Sequence, residues 1–364
     1  MTGLFGRSKS VISLSVIILL VFSFSADAAR KKKRPQKSKF SQMVSFNAGL
    51  DITYDDNIIN YSDDDLDLYA GGTGESKFSI TSKDDWIIIP RLEARIKGKL
   101  IKGHTAWLEP SFQYYYYARN DIRRYFRLGL IGRHYLFRSG YLEAEYSYIP
   151  DYYYRNQYYT DDSGASTYLE ANFSKHFLKF EYGMNLKPTL KGDVSYRYQN
   201  KTFNEEFSER DLSVNGLRFD GIWTATKRFK FWGYYGLERA EAKGADIPDP
   251  EMKIKDVSFD AWDITLGARY YSGILKRYKP EFVTSFKYRQ IKYQTIKYTD
   301  DYRFGRKDSN YYFRIGVAGQ LPGKARLEAD YNLVAKRVTL LDTSKEGLLE
   351  YDSNSVSLKI SRGF

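Results

Sequence analysis

The chain has 364 residues, no cysteine, 28% charged residues and a formal net charge of +12. The lack of cysteine excludes a disulfide scaffold, a thiolate metal site and a lipid-anchored lipoprotein together. Seven of the positive charges belong to one run, Arg30, Lys31, Lys32, Lys33, Arg34, Lys37 and Lys39, and from Phe40 onward the chain carries only +4, so its basicity does not indicate a nucleic-acid partner.

The first segment places Arg7 and Lys9 before an apolar run from Val11 to Phe24 and ends in Ala26-Asp27-Ala28. This order predicts a secretory signal peptide over residues 1–28. The run is too short for a helical membrane span, and no later segment reaches the eighteen or more apolar residues that one needs. Residues 29–41, holding the basic run, are expected to form a solvated, disordered periplasmic tail. Residues 42–364 then read as one domain.

Beyond Val44 apolar residues recur at every second position, which is the strand period. The first strand sets Val44, Phe46, Ala48, Leu50, Ile52 and Tyr54 against Ser45, Asn47, Gly49, Asp51 and Thr53. The second, about 85–99, sets Trp86, Ile88, Leu92, Ala94 and Ile96 against Arg91, Glu93, Arg95, Lys97 and Lys99. Ile87 and Ile89 interrupt its polar face, which asks for a plug or an inward-folded loop against them. Further strands are expected at about 105–118, 123–136, 141–154, 193–203, 211–225, 229–241, 259–271, 279–292, 310–321, 325–337 and 353–364. Between 166 and 191 the outward face switches from odd positions (Leu169, Ala171, Phe173) to even ones (Phe180, Tyr182, Met184, Leu186). That region holds either one long bulged strand or two short ones. The reading is an all-β fold, a transmembrane antiparallel up-and-down β-barrel of about 14 strands, with 12 or 16 as alternatives.

Connections near His104, Ser139, Lys227 and Pro322-Gly323 are expected to be short, and those at 55–84, 155–166, 242–258, 293–309 and 338–352 long. Barrels of this class carry short periplasmic turns and longer external loops, so both termini are expected on the periplasmic side. Tyrosines Tyr114 to Tyr117, Tyr152 to Tyr154, Tyr158, Tyr159, Tyr311 and Tyr312 suit headgroup-level girdles. Tyr115, Tyr117 and Tyr153 are the inward-pointing ones that could instead stack on sugar rings.

The charged strand residues fall on the watery face. Arg91, Glu93, Arg95, Lys97, Glu109, Arg127, Arg133, Glu143 and Glu145 are expected to line the lumen of the first half. Arg269, Lys287, Arg289, Arg314, Glu328 and Asp330 are expected to line the second. The two signs nearly balance, and opposite signs sit on neighbouring strands, as Arg127 and Arg133 do beside Glu143 and Glu145. A narrow, weakly selective channel follows, or a salt-bridged mesh that closes the barrel.

Asp63, Asp64, Asp65 and Asp67, in the first long loop, are the one candidate cluster for a hard cation, a weak one against the plainer reading of a solvated acidic loop. They lack the glycine and distal glutamate of a calcium loop. The three histidines, His104, His134 and His176, show no aligned nucleophile and acid, so no catalytic residue, enzyme activity or cofactor is read from the sequence.

Two passages carry a resemblance. Gly49-Leu50-Asp51-Ile52-Thr53-Tyr54-Asp55-Asp56-Asn57-Ile58, with Trp86-Ile87-Ile88-Ile89-Pro90-Arg91-Leu92, is similar to the opening of the β-barrel porin family that accompanies exopolysaccharide systems. The chain's end, with Val356, Leu358, Ile360 and terminal Phe364 on one face, resembles the assembly signal of Gram-negative outer-membrane proteins; Arg362 departs from that pattern. The resemblance implies an outer-membrane location, the barrel assembly machinery and lipopolysaccharide as partners, and transport of a small solute or polysaccharide. A closed structural or assembly-associated barrel is the alternative function, and a lipid- or glycan-modifying barrel enzyme the third.

Overall fold

A computed structural model describes residues 43–364 except 101–102, 138, 162, 246–255, 276, 297–299 and 301. The expected signal peptide and basic tail lie outside the described residues, as do parts of the connections around 101, 138, 250 and 298. The fourteen strands are β1 (Val44–Asp55), β2 (Asp85–Lys99), β3 (Thr105–Tyr117), β4 (Tyr125–Phe137), β5 (Gly140–Thr160), β6 (Ser166–Lys187) and β7 (Leu190–Phe203), followed by β8 (Leu212–Thr224), β9 (Phe229–Ala242), β10 (Phe259–Tyr271), β11 (Glu281–Tyr293), β12 (Lys307–Gln320), β13 (Ala325–Thr339) and β14 (Tyr351–Gly363). Each pairs antiparallel with its sequence neighbours, and β1 pairs with β14 to close the barrel. The Phe364 N–H donates to the Phe46 carbonyl at 2.9 Å and completes the seam.

The alternation decides which face is which. Leu50, paired with Ile360 and Pro90, looks out, whereas Asp51, paired with Lys359 and Ile89, looks in. Leu92, Leu266, Phe282, Val356 and Leu358 remain exposed on the outer face, and burying such side chains in lipid is what would stabilise them. Many strands have 13 residues. At about 3.3 Å per residue and a tilt of about 45°, such a strand rises roughly 30 Å, the thickness of a bilayer's hydrocarbon core.

Two outer aromatic girdles frame that band. Near the long-loop end Trp262 packs on Tyr288 at 5.2 Å, and Tyr288 on Tyr311 at 5.2 Å. Near the short-turn end Trp223 packs on Phe231 at 5.6 Å, and Phe229 on Tyr270 at 4.9 Å. The girdles draw on only some of the expected tyrosines, because pairing turns Tyr115, Tyr117 and Tyr312 to the interior.

Three expectations need correction. β6 is one strand, bulged against β7 between Asn185 and Lys187, and its odd positions from Phe173 to Gly183 face inward: Phe173 pairs with Phe203, two residues from the inward pair Lys175 and Lys201. The apparent switch of faces arises because its loop-end interior is apolar, with Ala171 and Phe173 buried. Two further irregularities belong to β5, whose register shifts between Ile149 and Tyr152 and between Tyr153 and Arg155. Each inserts one extra β5 residue, as a bulge does. The 155–166 connection is consequently short, 161–165, because β5 and β6 extend into it. Conversely, 272–280 is a longer connection than its end of the barrel led us to expect.

Candidate functional site: the barrel interior

All fifteen expected lumen residues lie at interior register positions. One ladder runs along β11 to β14. Arg326 donates to both oxygens of Glu281 at 3.0 Å; Arg314 reaches Glu328 at 2.6 Å and Asp330 at 2.7 Å; Lys359 reaches Asp330 at 3.0 Å. A second ladder joins β4, β5 and β6: Arg133 Nε donates to Glu143 at 2.8 Å, and Lys179 lies 2.8 Å from Glu143 and 3.4 Å from Glu145. Arg127 faces Glu145 more loosely at 3.7 Å. Arg95 pairs with Glu109, Arg91 with Asp51, Lys287 with Asp263 and Arg289 with Glu238. Arg269 stands 3.7 Å from Glu281, and Glu93 accepts from the Asn47 amide.

The loop between β1 and β2 folds inward. Ile58, Ile59, Tyr61 and Ile80 from this loop form a buried cluster with Ile87, Tyr117 and Tyr153, and Ile89 packs on it. This is the cover that Ile87 and Ile89 ask for. Tyr61 is 1% exposed and meets Phe78 edge-on at 5.3 Å; burial pushes its phenol up, so it stays neutral. Asn60 takes a left-handed φ of 59°, a conformation asparagine tolerates, inside a turn that Asn57 closes by bonding both N–H and C=O of Tyr61.

Polar side chains from the neighbouring wall hold the loop in place. Arg123, in the β3–β4 connection, donates to the carbonyls of Tyr153 (2.9 Å) and Ile58 (3.2 Å) and to the Tyr152 hydroxyl (2.7 Å). Arg155 donates to the Ile59 carbonyl at 3.1 Å, and the Asn156 amide donates to the Ser76 carbonyl and Ser79 hydroxyl. At the loop's base the Ser82 hydroxyl, with Tyr54 and Arg119, holds the Asp84 carboxyl below the usual carboxylate range.

Tyr117 and Tyr153 are occupied by this packing, and Tyr115 stacks on Tyr125 at 4.2 Å. The sugar-stacking role considered for these three therefore loses two of its residues. An interior arc of rings does run across the strands: Tyr125 to Tyr152 at 5.0 Å, Tyr152 to Phe173 at 5.0 Å, Phe173 to Phe203 at 5.2 Å.

The acidic cluster does not converge on a cation. Helix α1 (Asp63–Ala70) is capped by Ser62 and carries Asp63, Asp64 and Asp65 in its first turn, where carboxylates favour the positive helix end. Asp65 is paired to Lys77 at 2.5 Å, and Asp63, Asp64 and Asp67 are exposed. Among the described residues no group of three or more metal-ligating side chains is assembled. His134 and His176 point outward; the His176 Nδ1 lies 2.9 Å from the Tyr146 hydroxyl.

Val356, Leu358 and Ile360 share the outer face of β14, and the Arg362 guanidinium sits 5.2 Å from the Phe364 ring. Lys175, Lys179, Glu181, Arg123 and Arg155 were not singled out from the sequence. The first three stand in the strand whose faces the apolar loop-end residues disguised, and the two arginines act through backbone carbonyls, which leave no sequence mark.

The chain matches no family model and no curated protein sequence. Among solved structures it is similar to the outer membrane channel DcaP of Acinetobacter baumannii (10% identity, covering 90% of this chain and 99% of that one, TM-score 0.47). It is also similar to an anion-selective porin from Comamonas acidovorans (10%, 88% and 98%, 0.43) and to OmpT, an outer membrane protein of Vibrio cholerae (9%, 88% and 99%, 0.45). At such identities and TM-scores these likenesses transfer no function, selectivity or site.

Proposed function

We propose that the chain is a porin-like outer-membrane channel for small solutes or glycan export, with no chemistry of its own. The observation that carries this reading is the sorting of side chains: charge inside on every wall, large apolar residues outside, aromatic girdles at both ends. On the outer face at mid-membrane a lysine or arginine costs about 2–4 kcal/mol, and polar walls are what a water-filled pore needs. The loop 56–84 would narrow the mouth at its own end. We assign that end to the cell exterior and both termini to the periplasm, after removal of residues 1–28. The assembly machinery would recognise Val356, Leu358, Ile360 and Phe364, and lipopolysaccharide would meet the girdle of Trp262, Tyr288 and Tyr311.

A closed structural barrel is the second reading, favoured by the anchoring of loop 56–84 across the mouth. Planar-bilayer recording separates the two. The channel reading predicts stepwise current from the refolded protein, with larger steps when Arg123→Ala and Arg155→Ala together release the loop. No stepwise current from either protein, at any salt concentration, would leave the closed barrel.

A further inference from the structure

The two ladders leave one block of cations without carboxylates. Lys175 on β6 and Lys201 on β7 are direct cross-strand partners, as are Lys179 and Arg197. Like charges set opposite one another across strands are destabilising, yet here two such pairs stand four residues apart on the same interior face. Lys179 is neutralised by Glu143, Glu145 and Glu181. Lys175, Lys201 and Arg197 have no ion pair among the described residues, and the Arg197 Nε is buried without an acceptor.

Their surroundings hold further cations beside carboxylates that are already paired. Arg127 lies within electrostatic reach of Lys175, and Arg289 and Glu238 within reach of Lys201. The carboxylates within reach are committed elsewhere: Glu238, near all three cations, is bonded to Arg289, and Asp220, near Arg197, to Arg218. Lys201 Nζ sits 5.0 Å from the Phe173 ring centre, at the edge of the interior aromatic arc. Ammonium and guanidinium groups that converge on one wall without counter-charges form a site for anions, and a low-dielectric wall strengthens it.

We infer that the β6–β7 wall, through Lys175, Lys201 and Arg197, binds an anionic solute bearing carboxylate or phosphate groups inside the barrel. The inference rests on the channel reading only for the route by which such a solute arrives; binding itself requires access from one end. The group that binds replaces the missing carboxylates: its oxygens accept from the ammonium groups of Lys175 and Lys201, and the Arg197 guanidinium adds positive charge on the same wall. Screening by salt is built into such a site, since it rests on charge.

The test is calorimetric titration of the refolded full-length protein in detergent micelles, with inorganic phosphate and with citrate as separate probes. Binding of at least one probe is expected, weakening as sodium chloride is raised. The variant Lys175→Gln with Lys201→Gln should lose affinity at least tenfold, whereas Lys287→Gln, whose lysine is paired to Asp263, should retain it. A preference for phosphate or for citrate tells the two anion chemistries apart. Absence of binding by both probes, or equal binding by the double variant, overturns the inference. Binding is read without current, so a barrel that binds but does not conduct would refute the channel and leave the anion site standing.

Discussion

The ladder of β11 to β14 and the cation block of β6 and β7 are built from the same residue types on the same kind of surface, and they do opposite things with charge. In the ladder every cation meets a carboxylate: Asp330, 3% exposed, receives both Arg314 and Lys359. In the block lysine faces lysine. A lumen whose summed charge nearly balances can thus be braced on one side and electrostatically unsatisfied on another. The ladder contributes to holding the wall together, while the block costs stability and is understandable as a site for something else.

Four substitutions or conditions sharpen this contrast. The largest effect is expected outside it: Leu358→Arg, on the lipid-facing side of the ladder's own strand, should cost about 2–4 kcal/mol, read as a lower urea midpoint of the protein refolded in vesicles. Asp330→Asn leaves two cations without their shared acceptor and should cost about 2 kcal/mol, in the range of hydrogen bonds to charged groups, by the same measurement. Lys201→Gln should go the other way and stabilise by about 0.5 kcal/mol, because it removes a like-charge pair. A loss of stability there would mean that Lys201 has a partner and that the two walls are alike.

The smallest effect is a pH dependence at the loop. The Asp84 carboxyl is held below its ordinary value, so its contribution is complete above about pH 4 and is lost as the pH falls through the depressed value. Accordingly, proteolysis of loop 56–84 should run equally at pH 7 and pH 5 and quicken, as the loop loosens, only in stronger acid. Loosening between pH 7 and pH 5 would place the controlling group elsewhere.

The barrel was legible from the sequence because its cause is local: a period of two exposes both faces of each strand at once. The strand number was legible for the same reason, with the 166–191 region correctly marked as the difficult one. What misled there was Ala171 and Phe173, apolar residues that face inward because rings from β5 and β7 cover them. The inward loop announced itself only through Ile87 and Ile89, two apolar residues where charge was due. Its anchors, Arg123 and Arg155, could not be read, since a guanidinium bonded to distant carbonyls depends on the closed barrel. The acidic cluster was legible as acidic, while the helix start and the lysine that its carboxylates serve were not. Charge balance was legible as a sum, and its uneven placement required the strand register.

The most direct test compares the two walls in one experiment: the reversal potential under a salt gradient for the parent protein, for Lys175→Gln with Lys201→Gln, and for Arg314→Gln with Arg326→Gln. The account predicts anion preference in the parent, a collapse of that preference in the first variant, and near-parent preference with reduced stability in the second. Equal shifts in both variants, or cation preference in the parent, would contradict it.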